Sequence, residues 1–437
     1  MMKKIMTLVV CLSATLLAQP PGGPGGPPQP GPAGGSNDPG VRNGTPSAGQ
    51  PLPGLTAGER AIFLKGKETF DEVDGVDEGL GPRFNHDGCG GCHAFPSVGG
   101  TAPRVNPQVA VATKLGALNR LPPFITQDGP VRELRLKRHA DGSPDGGVTN
   151  LFVISGRGDA PPGCRITQPD FGRVENQSYR IPTPVFGLGL IESIPDSTLK
   201  ANLAATAARA AALGISGRFN TNDNDGTITR FGWKAQNKSL QIFSGEAYNV
   251  EVGVTNELFP QEREERPECW TSSSPEDRAD HNVGEFADVE LFTQFMRLLD
   301  APARGPVTPA AMRGRGVFDA IGCATCHTAS LRTGRSAVAA LTQREVTLYS
   351  DLALHRMGTR LDDGVTQGAA RTDEWRTAPL WGLGQRIFFL HDGRTRDLAE
   401  AIRQHDSPGS EARVVIQNYN AVTAEQRQDL LVFLRSL

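Results

Sequence analysis

"FNHDGCGGCHAFPSVGG" spans residues 84–100, and "IGCATCH" spans residues 321–327. Each holds two cysteines two residues apart with a histidine directly after: Cys89, Cys92 and His93, then Cys323, Cys326 and His327. The spacing admits a redox dithiol, half of a zinc site, a disulfide, or covalent attachment of a c-type haem. In the last case each thiol adds to a haem vinyl group and the adjoining imidazole becomes the proximal iron ligand. A thioredoxin-like dithiol calls for a βαβ context, whereas the segment before Cys89, "DGVDEGLGPRFNHDG", is loop-like. Structural zinc takes four ligands from one cluster, and these two pairs lie far apart in the chain. Two such motifs in one exported chain select the haem reading, with two covalently bound haem c groups.

Export is read from the first residues, "MMKKIMTLVVCLSATLLAQP". Lys3 and Lys4 precede an apolar run from Ile5 to Leu17, and Ala18 offers a cleavage point, so residues 1–18 are expected to be a signal peptide. The run is too short to cross a bilayer, and nothing further along is apolar enough, so no transmembrane segment is expected. Periplasmic or secreted localisation follows. Residues 19–55 are dense in Pro and Gly and read as a disordered linker. A net charge of −3 argues against nucleic acid or an anionic membrane as partner. Of the 7 cysteines, Cys11 leaves with the signal and four lie in the motifs. Cys164 and Cys269 remain, and in an oxidising compartment they are expected to pair.

The chain reads as one plan written twice. "LTAGERAIFLKGKETF" precedes the first motif, with Thr56 and Glu59 as a capping box. "VTPAAMRGRGVFDAIG" precedes the second, with Thr308 as N-cap and Pro309 at the first helical position. After each motif comes a Pro-x-x-Gly-x-Gly element, Pro184–Gly189 and Pro379–Gly384. Each copy closes with an amphipathic helix, "DVELFTQFMRLLD" (288–300) and "TAEQRQDLLVFLRSL" (423–437). The expected fold is mainly α: two c-type cytochrome domains in tandem, residues 56–302 and 303–437, the first with long loop and β insertions at 100–175 and 215–285. "NTNDNDGTITRF" (220–231) fails as an EF-hand, because Gly232 stands at the twelfth loop position where Glu is required. It reads as a turn with Asp225-Gly226 at its tip; a calcium site of another kind is left open.

A haem that only carries electrons is six-coordinate, and one that reacts with peroxide keeps a displaceable face. No methionine lies between His93 and Met296, so the first haem is expected to lack a methionine ligand. Met357, in "LYSDLALHRMGTRLDDG", is expected to ligate the second, with Tyr349 and His355 as rivals. His86, His139 and His281 read as ordinary histidines, and His391 and His405 as loop-orienting. Peroxide chemistry at the first haem needs a general acid/base. Glu251, set among Val250, Val252 and Val254, ranks first, ahead of Glu192, Glu246 and Glu257. Trp233 and Trp381 are placed near haem, and Arg394 and Arg180 are candidate partners for haem propionates.

"GLGPRFNHDGCGGCH", "NVEVGVTNELFP", "LYSDLALHRMG" and "APLWGLGQRIFFLHDGRTRDLAEAI" together resemble the bacterial di-haem oxidoreductase family, sometimes labelled thiol oxidoreductase. The resemblance runs from about residue 56 to 437. It implies kinship with di-haem cytochrome c peroxidases and the methylamine dehydrogenase maturation enzyme. It also implies one reactive low-potential haem, a second that passes electrons to it, and, in the peroxidase relatives, calcium between the domains. The chain departs from them in its first-half insertions and in lacking an evident distal histidine. The function so implied is a peroxidase-like oxidoreductase. The C-terminal haem takes electrons from a small cytochrome or cupredoxin, and the N-terminal haem reacts with hydrogen peroxide or oxidises a partner. The alternatives are an electron-transfer cytochrome with both irons six-coordinate, and a thiol oxidase using Cys164 and Cys269.

Overall fold

The computed structural model describes residues 38–44, 48–263, 266–270 and 274–437. The expected signal peptide, 1–18, lies outside the described residues. The fold is mainly helical, with short strands of two to four residues.

The helix Ala57–Asp71 starts where the Thr56 hydroxyl accepts from Glu59 N and the Glu59 carboxylate accepts from Thr56 N. It buries Phe63, Gly66 and Phe70 against the helix Asp288–Leu298. Gly66 is the contact point: a Cβ there would sit 2.3 Å from the Leu291 carbonyl oxygen. The second half repeats the device. Thr308 caps Pro309–Ile321, which packs on Ala424–Arg435, and a Cβ on Gly314 would lie 1.9 Å from the Asp429 carbonyl oxygen. In both copies a phenylalanine one turn after that glycine reaches the motif histidine. The Phe70 and His93 ring centroids are 5.8 Å apart, and those of Phe318 and His327 6.2 Å. The Pro-x-x-Gly-x-Gly elements also match. A Cβ on Gly189 would lie 1.9 Å from the Arg297 carbonyl oxygen, and one on Gly384 2.2 Å from that of Arg435.

The first insertion carries three short strands, and the second half has two strand pairs of its own, Leu331–Arg332 with Glu345–Val346 and Leu354–Arg356 with Glu374–Arg376. Glu133–Leu136 pairs antiparallel with Val148–Thr149 on one side and Gln177–Arg180 on the other. Phe152–Val153, within "NLFVIS", pairs with Arg83–Phe84 just ahead of the first motif. "TITRFGW" forms only isolated bridges, Thr221 with Ile228 and Phe231 with Asn237, around the turn at Gly226. The buried cysteines Cys164 and Cys269 form a disulfide between the two inserted segments.

The expected linker ends earlier than residue 55. Asp38 pairs with Arg435 at 2.6 Å, Arg42 donates from its backbone to the Gly384 carbonyl, and Leu52 is buried in the main core.

Candidate cofactor cavities

Each motif opens onto a large cavity. The first spans about 1140 Å³ and the second about 1410 Å³ of space, each open in part to solvent. Cys89, Cys92 and His93 line one; Cys323, Cys326 and His327 line the other. All four thiols are free, and burial raises each, Cys323 to about 12, so they stay protonated. Both motif histidines share one tautomer. His93 Nδ1 donates to the Gly100 carbonyl at 3.0 Å, and His327 Nδ1 donates to that of Tyr349 at 2.9 Å. Burial lowers both imidazoles to about 4. A neutral ring anchored through Nδ1, with Nε2 left over, is the form a metal-ligating histidine takes.

The second cavity holds a third histidine in this state. His405 Nδ1 donates to the Ala401 carbonyl at 2.8 Å, and burial lowers its pKa. It lies close enough to His327 to affect that ring's titration. Met357 and His355 line the cavity too. Tyr349 does not: its carbonyl holds His327, and its ring packs between Phe318 and Phe433. Two further cations face this space. Arg376 is buried with one terminal nitrogen unbonded, and Arg386 lies near it; burial lowers both guanidiniums to about 10, with no acid nearby to offset it.

The first cavity differs. Glu251 and Glu133 share a hydrogen bond there. Burial and the neighbouring Glu133 push Glu251 well up, whereas Arg135, 2.5 Å from Glu133, holds that carboxyl down. One proton therefore sits on Glu251 and is shared with the Glu133 carboxylate. Both residues are set by local backbone. Glu133 and Arg135 are two apart on one strand and so share a face, and Glu251 lies in the π-helical turn Tyr248–Val252, a form common at functional sites. Arg132 is fully buried, and one of its terminal nitrogens is unbonded. Met296 lines this cavity, one turn along its helix from Phe292, whose ring meets Phe70 beside His93.

These features fit a porphyrin in each cavity. Apolar walls suit the ring, thiols and a basic imidazole stand at one edge, and buried guanidiniums without acid partners suit propionates. Trp233 lines both cavities and donates its indole N–H to the Ile181 carbonyl at 2.9 Å.

Several expected site residues lie elsewhere. Glu192 lines neither cavity; its carboxylate accepts from Arg297 Nε at 2.7 Å and Leu240 N at 3.0 Å. Trp381 also lines neither. Its element docks on the closing helix, which turns the indole against Gly187 of the first copy and into a cleft with Arg304 and Arg344. Arg394 pairs with Asp392 at 2.8 Å and points away from both spaces. Arg180 does line the first cavity, already bonded to Asp363 at 2.6 Å. The turn 220–231 supplies no calcium cage. Among the described residues the one convergent group of three ligand-type side chains is Cys326, Asp351 and His355.

Each of the two cavities has a Cys-x-x-Cys-His edge and room for a porphyrin. A family model described as "Di-haem oxidoreductase, putative peroxidase" matches residues 174–437, and the chain belongs to that family, which implies two haem groups. The match includes the second motif and begins after the first. No curated protein matches the chain. Among solved structures, Kuenenia stuttgartiensis hydrazine synthase is 16% identical over 60% of this chain and 73% of that one, with a TM-score of 0.30. A MauG-like protein associated with microbial copper homeostasis is 16% identical over 58% and 89%, with a TM-score of 0.31. The diheme peroxidase BthA from Burkholderia thailandensis is 13% identical over 91% of each chain, with a TM-score of 0.37. No helix among the described residues is long and apolar enough to cross a membrane.

Proposed function

We propose that the protein is an exported di-haem c-type oxidoreductase with two unlike centres in two cytochrome-type units. Cys89 and Cys92 hold one haem and Cys323 and Cys326 the other, with His93 and His327 as proximal ligands. The observation that carries the reading is the asymmetry of the two cavities. The second cavity offers an imidazole with a free Nε2, on His405, while the first offers a carboxylic acid pair. His405 is preferred to Met357 as the second centre's other ligand, because its anchored Nδ1 repeats the state of both motif histidines. When bound, haem supplies the redox-active iron.

The chain's own residues handle binding and protons. Arg132 in the first cavity, and Arg376 with Arg386 in the second, bind propionates. Glu133, ionised beside Arg135, accepts a proton from one peroxide oxygen. Glu251, protonated, delivers one to the other oxygen, which leaves as water as the O–O bond breaks; the two electrons this reduction needs would come from the bound haems. Val250 and Val252 flank the acid and keep bulk water from it. Trp233, lining both cavities, passes electrons between them. Electrons enter at the second centre from a small cytochrome or cupredoxin.

The test is the ferric optical and EPR spectrum of the purified holoprotein, followed by peroxide turnover with a reduced cytochrome. One high-spin and one low-spin component, with turnover, is expected. Two low-spin centres and no turnover would leave a carrier of electrons only.

A further inference from the structure

His355 touches the second motif but neither binds a propionate nor moves a peroxide proton. The ring is 4% exposed. Its Nε2 lies 3.0 Å from an Asp351 carboxylate oxygen and its Nδ1 2.9 Å from one of Glu411. An ionised carboxylate only accepts, so both ring nitrogens donate, and the ring is an imidazolium on geometric grounds. The clamp is itself held. Asp351 is fully buried, donates from its backbone to the Cys326 carbonyl at 2.9 Å, and accepts from Ala353 N at 3.0 Å. Glu411 accepts from Ser216 N at 3.1 Å, Ser216 Oγ at 2.8 Å, Gly217 N at 3.2 Å and Arg356 N at 3.3 Å. Gly217, at φ +60°, closes the box: a Cβ there would stand 2.7 Å from His355 Cε1. His355 Nδ1 is 3.7 Å from Cys326 Sγ.

Near the first motif the cations are Lys114 and Arg157, which lie 2.5 Å and 3.9 Å from Asp87, and the histidine there is not clamped between two acids. His86 packs against Gly91, but its Nδ1 meets one carbonyl, that of Gly88, at 3.1 Å. The nearest acid, Asp87, is 3.4 Å away and already engaged by Lys114 at 2.5 Å.

We propose that His355, clamped as a cation between Asp351 and Glu411, raises the electron affinity of the second cofactor through Cys326. This rests on the reading that Cys326 carries haem. With Cys326 consumed by a thioether, the Cys326–Asp351–His355 group has no thiolate for a metal, and what remains is charge. A fixed positive charge favours the reduced state, the carboxylates oppose it, and a buried setting screens neither strongly. His355 is thus a positioning residue for potential, acting through Cys326.

The test is an anaerobic spectroelectrochemical titration of the full-length holoprotein without peroxide. His355→Gln is expected to disfavour reduction of the second haem by about tenfold, or 59 mV for a one-electron couple. Glu411→Gln keeps an oxygen acceptor for Ser216 and Gly217 and leaves Asp351 to hold the imidazolium, so it is expected to shift the same haem the other way. In both, the first haem's potential and the second's low-spin spectrum stay put. Shifts of one sign in the two variants, equal shifts at both haems, or none, would overturn the proposal. If His355→Gln fails to fold, the sign with Glu411→Gln decides alone. A single haem per chain by pyridine haemochrome assay would instead refute the two-haem reading.

Discussion

Replacing Glu251 by Gln isolates the proton that the first cavity stores. The amide has nearly the volume of the acid and still donates to Glu133, so the cavity wall and the π-helical turn at Tyr248–Val252 stay in place. Proton delivery is lost. General acid/base catalysis contributes about 10²–10⁴-fold, so kcat for peroxide reduction is expected to fall by that factor, about 3–5 kcal/mol of barrier. Haem content and spectra are expected to stay as in the parent. The pH profile gives a second handle. Burial and Glu133 raise Glu251, and Arg135 lowers Glu133. The active form has Glu251 protonated and Glu133 ionised, so activity is lost on the acid side as Glu133 takes up a proton and on the alkaline side as Glu251 gives one up. Both limbs belong to the pair. In Glu251→Gln the alkaline limb disappears. Glu192→Gln is the control: it leaves kcat alone and costs about 0–1 kcal/mol of stability, as expected for a partly exposed pair with Arg297. The assay is stopped-flow peroxide reduction across pH with reduced cytochrome as donor. A Glu251→Gln enzyme with undiminished kcat, or one impaired no more than Glu192→Gln, would refute the assignment.

Further expectations concern ligation and packing. His405→Ala is expected to convert the second haem to a high-spin or water-ligated form by EPR, while Met357→Leu leaves it low-spin; the reverse pattern would return the ligand to Met357. Gly314→Ala drives a methyl into the Asp429 carbonyl and is expected to cost about 1–3 kcal/mol by denaturant titration. Joint replacement of Cys164 and Cys269 by Ser is expected to cost about 2–5 kcal/mol of stability and leave peroxide turnover per folded molecule unchanged, whereas lost turnover would support a thiol oxidase.

The sequence determined by itself whatever depends on neighbours along the chain. Cys-x-x-Cys-His needs its residues adjacent, so both motifs were legible. So were the caps at Thr56 and Thr308, since capping is a contact over three residues. The doubled plan was legible because each glycine sits at a fixed spacing from its phenylalanine and follows a common pattern. The setting of Glu251 was legible in outline, from valines on either side. Tertiary structure alone decided what faces each motif across space. Glu133 meets Glu251 because a strand of the first insertion lies against a turn of the second, more than a hundred residues on. His405 faces the second cavity because the helix Leu398–Arg403 ends beneath it, yet in sequence it stands in a polar turn, "RQHDSPG". Trp381 and Arg394 occupy motif-like segments, but Trp381 packs against Gly187 and Arg394 pairs with Asp392, and neither lines a cavity. Side-chain direction and the desolvation of a charge are properties of the assembled core, and no local pattern encodes them.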